Sequence, residues 1–169
     1  LKANIYNAMG ITFMDNSDYP KALDYYHRSL KLNEEIGNKN GIANSLTTIG
    51  IIYKYQTDYP KALEYYNIAL KISEEIGYDG GITSSLNNLG GIYGSQKDHP
   101  KAIEYFYRSL KKSEEIGNKR SILNSLLNIG VTYANQSDFL KALVYYRKSL
   151  KISKELGEKS AVANNLINI

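Results

Sequence analysis

The chain has 169 residues, of which 43% are hydrophobic and 22% are charged, a composition typical of folded rather than disordered proteins. It contains no cysteine, which excludes disulfides, thiolate nucleophiles and thiolate metal sites and fits a reducing, cytoplasmic location. No apolar run approaches the roughly 20 residues that a transmembrane helix needs, so we expect no membrane partner. Because the sequence begins at Leu1 rather than at methionine, we expect a fragment or a processed product.

The net charge of +4 does not predict nucleic-acid binding. Lys31, Lys71 and Lys111 are each followed by two glutamates, three and four residues later, on the same face of a helix. Because no block of like charge stands out, solvated helix faces explain the basic excess better than a phosphate-binding stripe does. We therefore expect no nucleic-acid partner.

A short segment beginning with aspartate recurs every 40 residues. It reads Asp-x-Pro-Lys-Ala-Leu or a close variant, and it starts at Asp18, Asp58, Asp98 and Asp138. Glycines precede and follow each copy at fixed distances: Gly10, Gly50, Gly90 and Gly130 before it, and Gly37, Gly77, Gly117 and Gly157 after it. We predict one repeat domain over 1–169, with units 1–40, 41–80, 81–120 and 121–160, and with 161–169 as the start of a fifth unit.

The first predicted helix of each unit has one apolar face. In the second unit, this face carries Ala43, Leu46, Ile49, Gly50 and Tyr53 at the three- and four-residue spacings of a helix. The polar tract 56–58 ends this helix.

The second predicted helix begins at Asp58 or Tyr59, with Pro60 in the first turn, where its missing N–H costs nothing. Gly77 ends it, as expected of a residue that adopts positive φ after the last turn. The next helix follows within about four residues, and such short connections make neighbouring helices antiparallel. The predicted buried stripe of this helix is Ala62, Tyr66, Ala69 or Leu70, and Ile76.

Small residues predict a close contact between the two helices of a unit. Gly50 on the first helix and Ala62 and Ala69 on the second let the backbones approach, and Tyr53 and Tyr66 fill the space beside them. One such pair cannot bury both of its faces, so we expect it to stack on the next pair and to build a superhelix.

The pattern Leu-x-x-Ile-Gly-x-x-Tyr at residues 46–53, followed by Ala-x-x-x-Tyr at 62–66, resembles the tetratricopeptide repeat signature. All four units carry it, so the resemblance covers the whole chain. It implies an all-α, right-handed superhelical solenoid of helix–turn–helix repeats. HEAT-type repeats share the 40-residue period, but they are not expected to carry this glycine–tyrosine–alanine pattern.

The period is longer than the 34 residues usual for this family. The place where a proline often ends the second helix holds Glu34, Glu74, Glu114 and Lys154, so that helix can continue to the glycine. Repeats of this longer period resemble those in kinesin light chains and in bacterial signalling proteins.

Catalysis is not predicted. His27 and His99 occupy different repeat positions and have no companion nucleophile or metal-ligand spacing. The glycine-rich segment 90–94 lies inside a predicted helix and is not a phosphate-binding loop. We therefore expect no enzyme activity, no metal and no cofactor.

The resemblance implies that the first helix of each unit lines a concave surface. One row of polar residues there is Asn4, Asn44, Ser84, Asn124 and Asn164. A second row, one turn further on, is Asn7, Asn87, Asn88, Asn128 and Asn168. An asparagine amide offers one acceptor and two donors, so a column of amides can hold the backbone of an extended ligand. Helix capping is the alternative for the first row, but not for Asn87, Asn88 and Asn128, which lie a full turn inside.

The third unit departs from the others on this surface. It has Gly91 and Gly94 where the other units carry Ile11 and Met14, Ile51 and Lys54, or Val131 and Ala134. Each glycine inside a helix costs about 1 kcal/mol relative to alanine. The pair therefore predicts either a recess for a ligand backbone or a closer packing of helices.

These observations favour a protein-interaction scaffold that binds a protein or an extended peptide in the concave groove, as a regulatory part of a longer protein. Only Lys54 offers an inward positive charge, so a clamp for a C-terminal carboxylate is not predicted. The alternative function is a self-assembling array. In that case, Leu166 and Ile169 at an uncapped C-terminal helix would allow end-to-end association.

Overall fold

The structure, a computed structural model, describes residues 2–158, 162 and 168. In this part of the chain there are eight α-helices and no strand, which confirms the predicted all-α class of paired helices. The helices are α1 (Lys2–Asp15), α2 (Tyr19–Glu35), α3 (Lys39–Tyr55), α4 (Tyr59–Glu75), α5 (Asp79–Ser95), α6 (His99–Glu115), α7 (Lys119–Asn135) and α8 (Phe139–Leu156). The predicted start of a fifth repeat falls almost entirely outside the described residues. None of the eight helices is both long and apolar enough to cross a membrane.

The helix boundaries follow local signals in the sequence. The backbone N–H of Lys61 donates to Asp58 Oδ1 at 3.3 Å, so Asp58 is the N-cap of α4, and Pro60 lies in the first turn. Gly77 follows α4 with φ +67°, in the left-handed region where glycine carries no steric cost. Both ends of α4 are therefore confirmed as predicted.

The turn between the two helices of each repeat has a residue at positive φ that is not glycine. Between the first and second helices of each repeat, a residue with a side chain adopts φ close to +60°. These residues are Ser17, Thr57, Lys97 and Ser137. The strain, about 1–2 kcal/mol for a residue with a Cβ, is offset by the backbone hydrogen bonds that close the turn, such as Asp58 N–H to Tyr53 O at 2.9 Å.

The chain forms two compact units, Leu1–Ser85 and Leu86–Ile169, and the division between them falls inside α5. In the first unit, Ala22, Tyr26, Ile49 and Ile52 form one buried cluster. Of the stripe predicted for α4, Ala62, Tyr66, Ala69 and Leu70 are buried. The prediction for Ile76 is wrong: it is the C-cap of α4 and only half-buried, because the helical periodicity no longer applies beyond the last turn.

The second unit has an equivalent core, formed by Ala102, Phe106, Leu110, Leu126 and Ile129. These residues come from α6 and α7, so the second helix of one repeat packs against the first helix of the next. The core side chains of α3 and α7 lie on one face of each helix, and other positions of the same helices, such as Asn44 and Asn124, are exposed.

Candidate functional site

The first helix of each repeat exposes one strip of residues to solvent. Asn4, Asn44, Ser84 and Asn124 lie in this strip, and all four side chains are exposed. Asn164, predicted for the same row, lies outside the described residues. These four residues are thus exposed, and their place on a concave, ligand-binding surface stays a prediction.

Helix capping does not account for Asn44 and Asn124. The N-caps of α3 and α7 are Asn38 and Asn118, whose Oδ1 atoms accept from Gly41 N–H and Ser121 N–H at 3.1 Å. The capping alternative is thus wrong for both helices. Within the described residues, the side-chain amides of Asn44 and Asn124 make no hydrogen bond.

Asn88 and Asn128 lie one turn further along α5 and α7. Both are half-buried, and their side-chain amides have no hydrogen-bond partner among the described residues. By contrast, the exposed Asn67 of α4 donates to its own helix, to Leu63 O at 2.8 Å. The side-chain donors and acceptors of Asn88 and Asn128 are therefore unused within the described part of the chain.

Asn87 differs from the prediction, because its side chain points into the protein. Its Nδ2 donates to Ser109 Oγ at 2.8 Å, and Ser125 Oγ donates to its Oδ1 at 3.3 Å. Ser125 Oγ also lies 3.1 Å from Ser109 Oγ, so the three side chains form a closed network that joins α5, α6 and α7. Asn7, at the same repeat position, also has a buried Oδ1. The repeat position of Asn7 and Asn87 thus points into the protein, whereas the next position, that of Asn88 and Asn128, faces outward.

Gly91 and Gly94 border a recess of about 270 Å³, and the binding of a ligand backbone there stays a prediction. Its other lining residues are Ser95, Phe106, Asn128, Val131, Thr132 and Asn135. A Cβ added at Gly94 would meet only the Cβ of Ala102, at 3.9 Å, which is an ordinary van der Waals contact. Closer helix packing therefore does not explain the glycine at 94.

A second depression, of about 400 Å³, adjoins the recess and was not predicted. It shares Gly94, Ser95 and Asn135 with the recess and adds Lys97 and His99 from the turn before α6. His99 is half-buried, and its Nδ1 is buried without a partner among the described residues. The sequence signal was available, because the equivalent residue in the other repeats is Tyr19, Tyr59 or Phe139.

Two of the groups with shifted pKa values have structural roles. Hydrogen bonds from the Lys61 ammonium and backbone N–H lower the pKa of the Asp58 carboxyl, and burial raises the pKa of the Tyr66 hydroxyl. Asp58 caps a helix and Tyr66 lies in the core, so neither marks a reaction centre. Among the described residues, no group of three or more metal-ligating side chains comes together.

The fold and the repeated signature define a class of protein. A tetratricopeptide repeat family model matches residues 1–75 and 81–155. The chain therefore belongs to the tetratricopeptide repeat family.

Three solved structures show the same fold at low sequence identity. Aspartyl phosphate phosphatase F from Bacillus subtilis superposes with a TM-score of 0.93 at 18% identity, over 99% of this chain and 44% of that one. The apo form of RapI gives a TM-score of 0.87 at 22% identity, over 97% of this chain and 60% of that one. A Rap protein complexed with Competence and Sporulation Factor gives a TM-score of 0.81 at 17% identity, over 96% of this chain and 46% of that one. The chain thus spans less than two thirds of each of these proteins.

A curated relative matches over a shorter stretch. Photosystem I assembly protein Ycf3 from Acaryochloris marina is 56% identical over 32 residues, which is 19% of this chain and 19% of that protein. This stretch is shorter than one 40-residue repeat, so it supports the repeat signature alone.

Proposed function

We propose that this chain is a protein-interaction scaffold that binds an extended peptide or protein segment along the first helices of its repeats, as a regulatory part of a longer protein. The observation that carries the proposal is the set of amides on α5 and α7 with no partner among the described residues, namely Asn88, Asn124 and Asn128. Each peptide group of an extended ligand presents one donor and one acceptor, and an asparagine amide can satisfy both. Binding of this kind holds a backbone without fixing most of its side chains.

The chemistry of this surface favours a protein or peptide over other partners. Neutral amides supply none of the positive charge that nucleic-acid phosphates or anionic lipid headgroups require. A protein of the same fold has been solved in complex with Competence and Sporulation Factor, so this architecture accommodates a bound partner. We place the interaction in the cytoplasm, because a chain without cysteine has no disulfide that the reducing conditions there could break. Binding, rather than catalysis, is the role proposed.

The proposal is tested by selecting peptides from a phage-displayed random library on the immobilised protein. Synthetic peptides are then titrated by fluorescence anisotropy. N-methylation of a central peptide bond removes a backbone donor and should weaken binding by about tenfold, whereas most single alanine replacements in the peptide should matter less. Glu104→Lys, on the exposed face of α6, is the control variant and should leave the affinity unchanged. Failure to select any binder, or indifference to N-methylation, would contradict the proposal.

End-to-end self-association through the C-terminal helix is a second candidate. Leu166 and Ile169, which are predicted for it, lie outside the described residues, and the exposure of α1 at the other end favours it. Ile5 and Met9 are 51% and 38% exposed, whereas Ile49, at the repeat position of Met9, is completely buried in a cluster with Ala22 and Tyr26 of α2. The face of α1 that carries Ile5 and Met9 is thus suited to a helix from a second copy. Light scattering should then show a mass that rises with concentration, and Met9→Glu should abolish the rise. A constant monomer mass rules this candidate out.

A further inference from the structure

The two halves of the chain contain the same helix arrangement, which allows the recess to be compared with its own counterpart. Residues 91–135 correspond to residues 11–55 with an offset of 80. Each residue around the recess between α5, α6 and α7 therefore has an equivalent between α1, α2 and α3. The comparison is made inside each unit, so it does not depend on how the units are arranged.

In the first unit, side chains occupy this place. Met14, equivalent to Gly94, packs against the core cluster that contains Ala22 and Tyr26. The rings of Tyr19 and Tyr55, at the repeat positions of His99 and Asn135, stack with their centroids 6.2 Å apart and their planes at 12°. At these positions the first unit thus carries a thioether side chain and a stacked aromatic pair.

In the second unit, the corresponding side chains are smaller or shorter. Gly94 replaces Met14, and Gly91 replaces Ile11. His99 and Asn135 replace the stacked pair of Tyr19 and Tyr55, and Phe106 replaces Tyr26, with the loss of a hydroxyl. The recess lies at these positions, and its lining residues come from all three helices. It is an open depression that has the largely buried Phe106 among its lining residues, so its walls extend beyond the two glycines of one helix.

The size and lining of the recess indicate what fits it. Its volume of about 270 Å³ is just below the roughly 300–1,000 Å³ of sites for drug-sized ligands, which suits a single amino-acid side chain. Phe106 and Val131 supply apolar contacts, and the amides of Asn128 and Asn135 supply hydrogen bonds at the rim. Lys97 borders the adjoining depression and disfavours a cationic side chain.

We propose that the recess of the second unit takes one bulky apolar or aromatic side chain of the bound peptide, in the place that Met14 fills in the first unit. The assignment rests on the proposed function and deepens it. The amides of the first helices hold the ligand backbone, while this recess selects one side chain and sets the register of the ligand along the repeats.

The pocket is tested without knowledge of the natural partner by using 4-methylphenol, the tyrosine side chain alone, as the probe. In ¹H–¹⁵N spectra of the whole chain, millimolar 4-methylphenol should shift the amide signals of Gly91 and Gly94 saturably. Gly94→Met, which restores the side chain of the first unit, should abolish the shifts. Lys54→Met, the same substitution at the same repeat position in α3, should leave them unchanged. Shifts scattered over the surface, or shifts that persist in Gly94→Met, would overturn the pocket.

The peptides selected from the display library separate failure of the pocket from failure of the proposed function. Their sequences should align on one bulky apolar or aromatic residue. Replacing this residue with alanine should weaken binding of the peptide to the wild-type protein about tenfold. The same replacement should not change the affinity of the peptide for the Gly94→Met variant. If peptides bind through their backbone yet show no preferred residue, the scaffold stands and the pocket is wrong. If no peptide binds but 4-methylphenol still shifts Gly91 and Gly94, the scaffold is wrong and the cavity takes a small apolar group of another ligand.

Discussion

Replacing Gly50 or Gly94 with alanine adds the same methyl group to two first helices, in opposite surroundings. A Cβ at Gly50 would lie 2.6 Å from Tyr66 Cε1 and 2.8 Å from Tyr66 Cδ1. A Cβ at Gly94 would meet only Ala102 Cβ at 3.9 Å. We therefore expect Gly50→Ala to destabilise the protein and Gly94→Ala to stabilise it.

The expected magnitudes follow from two opposing terms. Alanine is the better helix former by about 1 kcal/mol at either position. At Gly50 this gain is outweighed, because Tyr66 is completely buried and cannot move aside, and overpacking of a core costs about 1–3 kcal/mol. The net change is then a loss of about 1 kcal/mol for Gly50→Ala and a gain of about 1 kcal/mol for Gly94→Ala.

The pair is measured by urea and thermal unfolding followed by circular dichroism. For a chain of this size, about 1 kcal/mol corresponds to a shift of roughly 2–4 °C in Tm, so the two variants should differ by roughly 4–8 °C. Gly50→Leu should be less stable than Gly50→Ala, because it forces a larger group against the Tyr66 ring. A shift of the Tm in the same direction for both alanine variants would refute this reasoning. Gly50 would then not be required by a close helix contact, or Gly94 would not border open space.

The remaining predictions concern the caps and the buried polar network. Asp58→Ala should lower the free energy of unfolding in urea and Asp58→Asn should lower it much less, since asparagine also caps; equal losses would count against the cap. Because hydrogen bonds from Lys61 lower the pKa of Asp58 in the folded state, the stability contributed by the carboxylate charge is complete above about pH 5 and is lost as the pH falls through the lowered pKa. Tm measured from about pH 6 to 2 should therefore be level and then drop, with a smaller drop in Asp58→Asn. Asn87→Ala should cost about 1–2 kcal/mol and Asn88→Ala almost nothing, and the reverse order in unfolding curves would disprove the assignment of inward and outward residues.

The helix boundaries were predictable because local chemistry determines them. A capping carboxylate at Asp58, a proline that requires no N–H and a glycine at positive φ each act within a few residues. The contact of Gly50 with the second helix was also predictable, since an aromatic residue recurs at a fixed distance from the glycine in every repeat. The positive φ of Thr57 was not, because no glycine or asparagine marks that turn.

The candidate site was only partly predictable. Asn87 and Asn88 have identical side chains, and the roughly 100° rotation per helical residue sends one into the core and the other outward. A small error in the phase of the helix therefore exchanges their roles. The recess was suggested by Gly91 and Gly94, but its far wall comes from α7, about 40 residues further along the chain. Only the packing of the helices brings that wall into place.

The central claim is that amides on the first helices bind a ligand backbone. It is tested most directly by calorimetric titration of a selected peptide against the triple variant Asn88→Ala, Asn124→Ala, Asn128→Ala. Each lost hydrogen bond is worth about 1 kcal/mol net, or about 3 kcal/mol for the three, so the affinity should fall roughly a hundredfold while the circular dichroism spectrum stays unchanged. The control variant, Glu104→Lys with Lys111→Glu on the exposed face of α6, should bind as the wild type does. If the α6 variant loses binding and the asparagine variant keeps it, the ligand binds the second helices and the proposed site is wrong.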